Sequence, residues 1–450
     1  MWVGTRSRVA HAPEPKGPHG TIGYGQSVAL YTGAVLGAGV LVLPGQAASM
    51  AGPASLLAWL FMGLLGLPLA TTFAALATRF PDAGGIATYA AKAFGPTAGG
   101  LSGWFYFTSG VLGHTVVPLT GGYYVAAALD ADPSAAYPIA AAILALAMAA
   151  NLAGMRLSGR VQLALAAGVA LMLLTAALAA LPHVTLEPFT SARAFAPNGV
   201  PGVARVAVVL FLAFAGWEAV AHLAGEFRDV RRDMLRATVT TVGIVLVLYT
   251  GIAFAVVGTA AYGDPAVDRV AVGRVLGTGL GVGAEGTAAV LATVITLGTT
   301  NTFIASTSRL GYALGRDGWL PRRLGHLNAR GVPVAGVLTV GAGGAAGLAA
   351  GFAGGWGTET LVGIPASLVL VTYLVGMASG LRLLSGRPRV HAATALVLTA
   401  VIAPFAAEYI VVPMVVAAVA LAFRWGSGRG RAARRDPGPE PRQEAGALRP

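Results

Sequence analysis

The sequence contains no cysteine, and only 11% of its 450 residues carry a charge. Without cysteine, a disulfide-built secreted scaffold and a cysteine-ligated zinc or iron–sulfur site are excluded. A water-soluble domain needs roughly 25% charged residues, so the scarcity of charge excludes that class as well. The chain is instead 56% hydrophobic, which excludes intrinsic disorder. This composition predicts an integral membrane protein.

Long apolar runs separated by short polar segments recur along the chain. A helix needs about 20 mostly apolar residues to cross a bilayer. We count twelve such spans, which predicts an all-α integral membrane protein with about 12 transmembrane helices. The last two are short and could instead form one hairpin that does not fully cross. The spans are 26–50, 55–78, 97–128, 136–154, 161–181, 203–225, 237–261, 287–312, 333–350, 360–381, 391–406 and 409–424.

The basic residues are concentrated on one side of these spans. An even number of spans places both termini on the same side, and the positive-inside rule assigns that side to the cytoplasm. In this orientation only Arg193, Arg205, Arg269 and Arg274 lie outside, and the other 26 of the 30 basic residues lie inside. The net charge of +12 therefore reflects mainly how the chain is oriented in the plasma membrane. The lipid bilayer is a predicted partner, and nucleic acid is not.

The first predicted span contains a cluster of glycines followed by a proline. Gly33, Gly37 and Gly39 precede Pro44 within one apolar run. Glycine costs about 1 kcal/mol per helical position relative to alanine and lets the backbone leave helical geometry. The cluster therefore indicates either a break in the helix or a small-residue face for close helix packing.

The sixth predicted span holds Glu218, the one carboxylate that we place inside the membrane. An ionised carboxylate at the bilayer centre is costly unless it is partnered or hydrated, so Glu218 should face the protein interior or an aqueous cavity. Glu218, His222 and Glu226 are spaced by four residues and share one face of a helix. Glu226 fits a solvated helix end, whereas His222 fits either a structural hydrogen bond or proton transfer.

The two irregular spans are five apart, so the second is inverted relative to the first. This pattern is typical of transporters built from inverted repeats, in which broken helices meet at the midplane. The N-terminus of a half-helix offers N–H groups to an anion, and unwound carbonyls face a cation. A zwitterionic amino acid presents both charges and would need no dedicated arginine or lysine.

Three motifs resemble those of the amino acid–polyamine–organocation (APC) superfamily of permeases, over about residues 20 to 425. They are, in chain order, Gly37-Ala38-Gly39 with Leu43-Pro44; Arg79-Phe-Pro81-Asp-Ala-Gly84-Gly85-Ile-Ala-Thr-Tyr89 with Ala93-Phe94-Gly95; and Phe214-Ala-Gly216-Trp217-Glu218 with Glu226-Phe-Arg228-Asp229 and Arg236-Ala237. The stretch from Glu218 to Glu226 is also similar to the bacterial branch that exports methionine and branched-chain amino acids.

The resemblance implies a five-plus-five inverted-repeat (LeuT-like) core with broken first and sixth helices. In this organisation residues 1–25 form a cytoplasmic N-terminal tail, 26–181 the first five-helix repeat, 203–381 the second, inverted five-helix repeat, 391–424 two accessory helices and 425–450 an Arg-rich disordered cytoplasmic tail. The N-terminal segment is polar, so no cleaved signal peptide is expected.

The resemblance also implies a substrate site between the first, third, sixth and eighth spans, reached by alternating access. Backbone groups of the two broken helices would bind the amino acid, and Trp217 would cover it. The residues implied are Gly37, Ala38 and Gly39 for the substrate carboxylate and carbonyls near Phe211, Ala213 and Phe214 for the ammonium. Candidate pocket walls, chosen by position alone, are Ser109, Gly110, Thr299, Thr300 and Asn301.

The coupling ion is expected to be a proton, bound by Glu218 with His222 as a second candidate. Some proton-coupled relatives use a lysine in the fifth span, but residues 161–181 contain no ionisable group. Sodium is the alternative, with oxygens from hydroxyl residues of the eighth span, although such residues often bond their own backbone. Those residues are Thr299, Thr300, Ser306 and Thr307. No cofactor or metal is expected.

We therefore expect a secondary active transporter of neutral, aliphatic amino acids, proton-coupled or working by exchange (antiport), in either direction. An enzyme is not expected, because the histidines are scattered and no nucleophile–base pair converges. An amino-acid sensor, or a subunit that transports only with a partner, would carry the same site and stays open. Polyamines and cationic amino acids fit less well, because their extra charges usually need carboxylate partners.

Overall fold

The computed structural model describes residues 24–80, 84–154, 159–219, 230–281 and 283–433. Every regular element in these ranges is helical, which confirms the all-α fold class. The helices of nine residues or more are α1 (Tyr24–Val35), α2 (Leu43–Ala51), α3 (Ser55–Arg79), α4 (Ile86–Phe94), α5 (Pro96–Ala128), α6 (Ala136–Leu152), α7 (Gly159–Ala180), α8 (Gly199–Leu210), α9 (Val230–Gly258), α10 (Ala271–Leu280), α11 (Ala284–Arg316), α12 (Val334–Gly354), α13 (Gly363–Leu383), α14 (Arg387–Ile402) and α15 (Val411–Ala433).

A helix lies within each of the twelve predicted spans. In the part of the chain described, eight helical segments are long and apolar enough to cross a membrane, by length and composition alone. The long helix α5 is not among these eight, since glycine, serine and threonine lower its hydropathy. Most of its residues are buried by neighbouring helices, chiefly α11, α6 and α4. It is therefore a central helix of the bundle that needs little lipid-facing apolar surface.

The first and sixth spans are both interrupted. The first is divided between α1 and α2, with Gly37 in an extended conformation and a 3-10 turn at Ala38–Leu41 between them. The sixth leaves helical geometry after α8, passes through turns at 211–216 and ends its described part in a 3-10 turn, Trp217–Ala219. The glycine cluster of the first span therefore accompanies a break in the helix.

Three elements differ from what the sequence led us to expect. The motif between the second and third spans contains an amphipathic helix, α4, which lies outside the twelve predicted spans. A further helix, α10, lies in the segment between the seventh and eighth spans. The last helix continues to Ala433, so the first residues of the expected disordered tail, 425–433, are helical. No proline lies between Pro413, in the first turn of this helix, and Pro437, which allows this extension.

Charged side chains lie at the two ends of the bundle. At the end predicted to be cytoplasmic, Arg424 donates to the Gly318 carbonyl and stacks on the Trp319 ring, 5.1 Å from its centroid. At the opposite end, Arg269 pairs with Glu359 at 2.6 Å and Arg274 pairs with Glu285 at 3.0 Å. The orientation of the termini stays a prediction.

Candidate functional site

The two broken segments touch each other. A Cβ on Gly39 of the first span would lie 3.4 Å from the Ala213 Cα of the sixth. Gly216 has a φ of +131°, a value that side chains disfavour, and a Cβ there would lie 2.6 Å from the Ala34 carbonyl oxygen. The fold therefore brings together the first- and sixth-span segments that the sequence singled out.

A tyrosine hydroxyl from the seventh span bridges the two breaks. Tyr249 of α9 is fully buried, and its hydroxyl donates to the Val35 carbonyl at 3.0 Å and to the Ala213 carbonyl at 3.3 Å. These carbonyls belong to the last residue of α1 and to the turn after α8. The two carbonyls share the single hydroxyl hydrogen, which joins the two segments, and the Val35 carbonyl also accepts from the Gly37 amide at 2.7 Å.

Two more tyrosines stabilise the ends of the interruptions. Tyr31 of α1 donates to the Trp217 carbonyl at 2.9 Å, and Tyr124 of α5 donates to the Leu41 carbonyl at 2.8 Å. Both tyrosines are buried. The first and sixth spans are thus joined by side-chain hydrogen bonds where helical bonds are missing, and α5 holds the outer end of the 3-10 turn.

The predicted carboxylate-binding residues Gly37, Ala38 and Gly39 lie at the opening of the 3-10 turn. N–H groups at the start of a helical turn have no partner within it. Thr299 of α11 is the nearest side chain to Gly37, since a Cβ on Gly37 would be 3.9 Å from the Thr299 methyl group. The structure thus places Thr299, one of the candidate pocket walls, beside the break.

Aromatic side chains of the sixth span pack against buried tyrosines. The Phe211 ring lies edge-on to Tyr373, and the Phe214 ring lies edge-on to Tyr249. The Trp217 ring is fully buried and edge-on to Tyr31, with centroids 5.8 Å apart. Trp217 therefore contacts the first span before its break, and its role as a cover over the substrate stays a prediction.

The other candidate pocket walls make contacts elsewhere in the bundle. Ser109 donates to the Pro365 carbonyl of α13 at 2.9 Å. Asn301 accepts a bond from Asn151 of α6 at 2.8 Å.

Gly110 and Thr300 lie where α5 meets α11. A Cβ on Gly110 would lie 2.5 Å from the Thr307 hydroxyl, and Thr300 is fully buried. A part in substrate binding stays a prediction for these four residues.

Glu218 lies in a buried cluster of hydroxyl donors. Its side chain is 5% exposed, and each carboxylate oxygen accepts a hydrogen bond from a tyrosine, Oε1 from Tyr106 of α5 and Oε2 from Tyr373 of α13. The Gly216 amide also donates to Oε2 at 3.1 Å. The carboxylate therefore links the third, sixth and tenth spans. The second proton-coupling candidate, His222, lies outside the described residues, as does Glu226.

The second half of the first span, α2, is hydrogen-bonded to the segments around Asp268 and Thr358. Ser49 of α2 donates to Asp268 Oδ2 at 2.6 Å, and the Gly263 amide donates to Asp268 Oδ1 at 3.0 Å. Gln46 donates to Thr358 at 2.8 Å. Burial raises the pKa of Asp268, and the Ser49 bond only partly offsets this effect.

An ion pair joins the segment that contains Asp268 to the segment that contains Thr358. Two guanidinium nitrogens of Arg269 donate to Glu359, Nε at 3.1 Å and Nη2 at 2.6 Å, so the pair is bidentate. The guanidinium also lies over the Tyr123 ring of α5, 4.7 Å from the centroid. These contacts close the outer end of the bundle above α2.

The sequence did not point to the tyrosines that satisfy the breaks and Glu218. They are Tyr31, Tyr106, Tyr124, Tyr249 and Tyr373. Tyrosines of membrane proteins concentrate at the lipid–water interface. These five tyrosines lie inside predicted spans instead. That position was the signal in the sequence that could have identified them.

Known proteins resemble the chain over most of its length. A family model described as amino acid permease matches residues 22–425. The uncharacterized amino acid permease YecA of Bacillus subtilis is 34% identical over 364 residues, which are 80% of this chain and 85% of that protein.

Two further relatives have names that state a substrate. The L-methionine/branched-chain amino acid exporter YjeH of Escherichia coli is 27% identical over 69% of this chain and 74% of its own. The branched-chain amino acid permease BcaP of Lactococcus lactis is 27% identical over 70% of this chain and 72% of its own. Names of permeases and transporters agree with the expectation that the chain is not an enzyme.

Proposed function

The chain belongs to the amino acid permease family, and from this premise we propose that it is a secondary active transporter of neutral, aliphatic amino acids. It is a multi-pass membrane protein of the APC superfamily, and amino-acid transport is the activity of that family. We place it in the plasma membrane with both termini in the cytoplasm, and we assign it alternating access driven by a proton gradient or by exchange.

The contact between the two interrupted spans carries this proposal. Residues 36–42 and 211–217 have no ionisable side chain, so a ligand held there would meet backbone groups. The N–H groups of Ala38 and Gly39 suit a carboxylate, and carbonyls of the turn after α8 suit an ammonium group. A zwitterion satisfies both sets at once. An extra cationic group, as in polyamines, would find no carboxylate in these two segments.

The apolar surroundings favour an aliphatic side chain. Val40, Leu41, Phe211 and Phe214 are fully buried beside the break. Apolar walls contribute about 25 cal/mol for each Å² of ligand surface that they remove from water. The names of the exporter and the branched-chain permease fit the same class of substrate. We therefore place methionine, leucine, isoleucine and valine first among the substrates.

Alternating access requires the two ends of the bundle to open in turn. At the predicted cytoplasmic side, Glu218 holds α5 and α13 through Tyr106 and Tyr373. At the outer side, the Asp268 and Arg269 contacts hold α2 under the loops. Opening either end must break one of these sets while the other stays closed.

The hydrogen bonds of Glu218 support proton coupling. As a carboxylate it accepts from both tyrosines. Once protonated, one oxygen becomes a hydroxyl that donates and is a weaker acceptor, so the tyrosine bond to that oxygen is weakened or reversed. Proton binding and opening of the cytoplasmic end are therefore linked. Sodium coupling through Thr299 and its neighbours is the competing mechanism.

A counterflow screen tests the proposed function. Liposomes that contain the purified protein and are loaded with unlabelled methionine should accumulate labelled methionine, leucine, isoleucine or valine. Labelled arginine and putrescine should not accumulate. Liposomes without protein are the control. Binding of these amino acids without any flux would instead favour a sensor or a subunit that needs a partner.

A further inference from the structure

A group of basic side chains, here called the basic patch, lies at the predicted cytoplasmic end of the second, tenth and eleventh spans. All of its members are exposed, and none forms an ion pair with a described residue. They are Arg79 of α3, Lys92 of α4, Arg382 of α13 and Arg387 and Arg389 of α14. The segments that carry them, 76–80, 84–95 and 380–392, contain no acidic residue. The neighbouring Asp82 lies outside the described residues.

The basic patch is continuous because the helices that carry it touch each other. Arg79 donates from Nη1 to the carbonyl of Leu383, the last residue of α13. Helix α4 packs on α13, and α14 packs on both α3 and α13. His391 of α14 is hydrogen-bonded through Nδ1 to the Thr71 hydroxyl of α3 at 2.7 Å. Four helices from distant parts of the sequence therefore bring their cations together.

Phenylalanine rings lie against three of the cations. The Phe80 ring centroid is 5.5 Å from Arg79 Cζ and 5.3 Å from Lys92 Nζ. The Phe94 ring centroid is 5.6 Å from Arg382 Cζ. A ring attracts a cation through its face but does not use up the N–H donors of an ammonium or guanidinium group. Lys92 and Arg382 donate to no acceptor among the described residues, so their donors remain for a ligand.

Helix α4 is suited to the surface of a bilayer. The side of α4 that runs from Ile86 to Ala93 is buried, and the helix packs on α5 and α13. Lys92 is exposed, and Phe94 is 44% exposed. A basic residue beside an exposed aromatic ring is typical of amphipathic helices that lie among lipid headgroups. The basic patch is thus expected at the depth of the lipid phosphates.

Helix α14 begins with positive charge where a helix favours negative charge. Arg387 is its first residue and Arg389 its third, and its first turn contains no acidic residue. The N-terminus of a helix carries a partial positive charge, so arginines there are repelled. A phosphate bound beside them would offset this repulsion. The positive-inside rule requires basic residues at this end, but it does not require them to be gathered on aromatic rings and a helix N-terminus.

We propose that the basic patch binds the phosphate of an anionic phospholipid from the adjoining leaflet. Lys92, Arg382 and the arginines of α14 donate to the phosphate oxygens, which accept such charged hydrogen bonds well. The positive choline of a zwitterionic lipid would be repelled, so the patch selects lipids with net negative charge. The bound lipid joins the second span to the tenth, which carries Tyr373, a partner of Glu218. This ligand is distinct from the transported amino acid.

Lipid binding to the purified full chain tests the proposal. Native mass spectrometry measures the affinity for phosphatidylglycerol and for phosphatidylcholine with the same acyl chains. We expect phosphatidylglycerol to bind about fivefold more tightly or better. Lys92→Gln with Arg382→Gln should weaken its binding by about tenfold, because each cation near the membrane surface contributes to attraction of anionic lipid.

The matched control removes the same charge elsewhere at this end of the bundle. Arg322 and Arg323 are exposed in the segment between α11 and α12, and their double substitution by glutamine should leave the affinity within about twofold of the wild type. If the Lys92 and Arg382 double variant does not fold, Arg387→Gln with Arg389→Gln removes two other cations of the patch and should also weaken binding.

Three results would overturn the proposal. They are equal binding of the two lipids, an equal loss of affinity in the patch and control variants, and binding of inorganic phosphate as tight as that of phosphatidylglycerol. The last result would mean that the patch recognises a free anion instead of a lipid. The measurement needs no flux, so failure of the counterflow screen would leave the lipid site separately decided.

Discussion

Gly216 of the sixth span presses on the Ala34 carbonyl of the first, with room for a hydrogen but not for a methyl group. A Cβ there would lie 2.6 Å from the carbonyl oxygen, and the φ of +131° is strained for any side chain. We expect Gly216→Ala to lower the free energy of unfolding by about 3 kcal/mol or more. Thermal unfolding of the purified protein in detergent measures the effect.

Gly37→Ala is the matched control for that substitution. Gly37 has a φ of −87°, and the nearest atom to an added Cβ is 3.9 Å away. It should unfold within about 1 kcal/mol of the wild type. Equal destabilisation by both variants would contradict the close contact at Gly216.

Glu218→Gln should uncouple transport from the pH gradient. The amide keeps one acceptor oxygen but cannot take up a proton, and one tyrosine loses a charged acceptor. We expect accumulation driven by a pH gradient in liposomes to fall by about tenfold or more, with exchange retained. Glu285→Gln, in an exposed ion pair, is the control. Unchanged gradient-driven uptake would remove Glu218 from the mechanism.

Arg269→Gln should weaken the outer end of the bundle. Arg269 is 15% exposed, bidentate to Glu359 and stacked on Tyr123, so its loss removes several contacts. We expect the free energy of unfolding to drop by about 1–2 kcal/mol. Arg274→Gln breaks a pair that is 47% and 46% exposed, and it should cost under about 0.5 kcal/mol. The same thermal measurement compares them, and equal losses would show that burial of the Arg269 pair adds nothing.

Asp268 should make the protein less stable as pH rises. Burial raises the pKa of this carboxyl, so the folded state holds its proton more tightly than the unfolded state does. The stabilisation is complete below about pH 4, the ordinary range of aspartate, and is lost as pH rises through the raised pKa. Melting temperatures measured between about pH 4 and pH 7 should fall more in the wild type than in Asp268→Asn.

The exposed Asp132 provides a contrast of opposite sign. Hydrogen bonds from Ser134 lower the pKa of Asp132, so its stabilisation is present at neutral pH and lost on acidification. The wild type should therefore lose stability on acidification through Asp132, and Asp132→Asn should lose less. If the melting temperatures of Asp268→Asn and Asp132→Asn followed pH in parallel, that result would contradict the burial effect at Asp268.

Much of the fold could be predicted because lipid imposes simple rules on sequence. Apolar length located a helix in each predicted span, and the glycine cluster before Pro44 gave a break near Gly37 as one of two interpretations. The helix α4 was not predicted, because its nine amphipathic residues are too few to form a membrane span. The tyrosine partners of Glu218 were not predicted, because Tyr106 and Tyr373 lie far from it in the sequence. Such pairing depends on tertiary packing, which the pattern of a single sequence does not record.

The bond from Tyr249 to the Val35 carbonyl has a consequence for biosynthesis. Its two partners are 214 residues apart. A nascent chain therefore delivers the interrupted first helix to the membrane long before the hydroxyl that joins it to the sixth span has been made. Until then the Val35 carbonyl has the local bond from the Gly37 amide at 2.7 Å. The link between the two breaks through Tyr249 can form only after the seventh span has been synthesised.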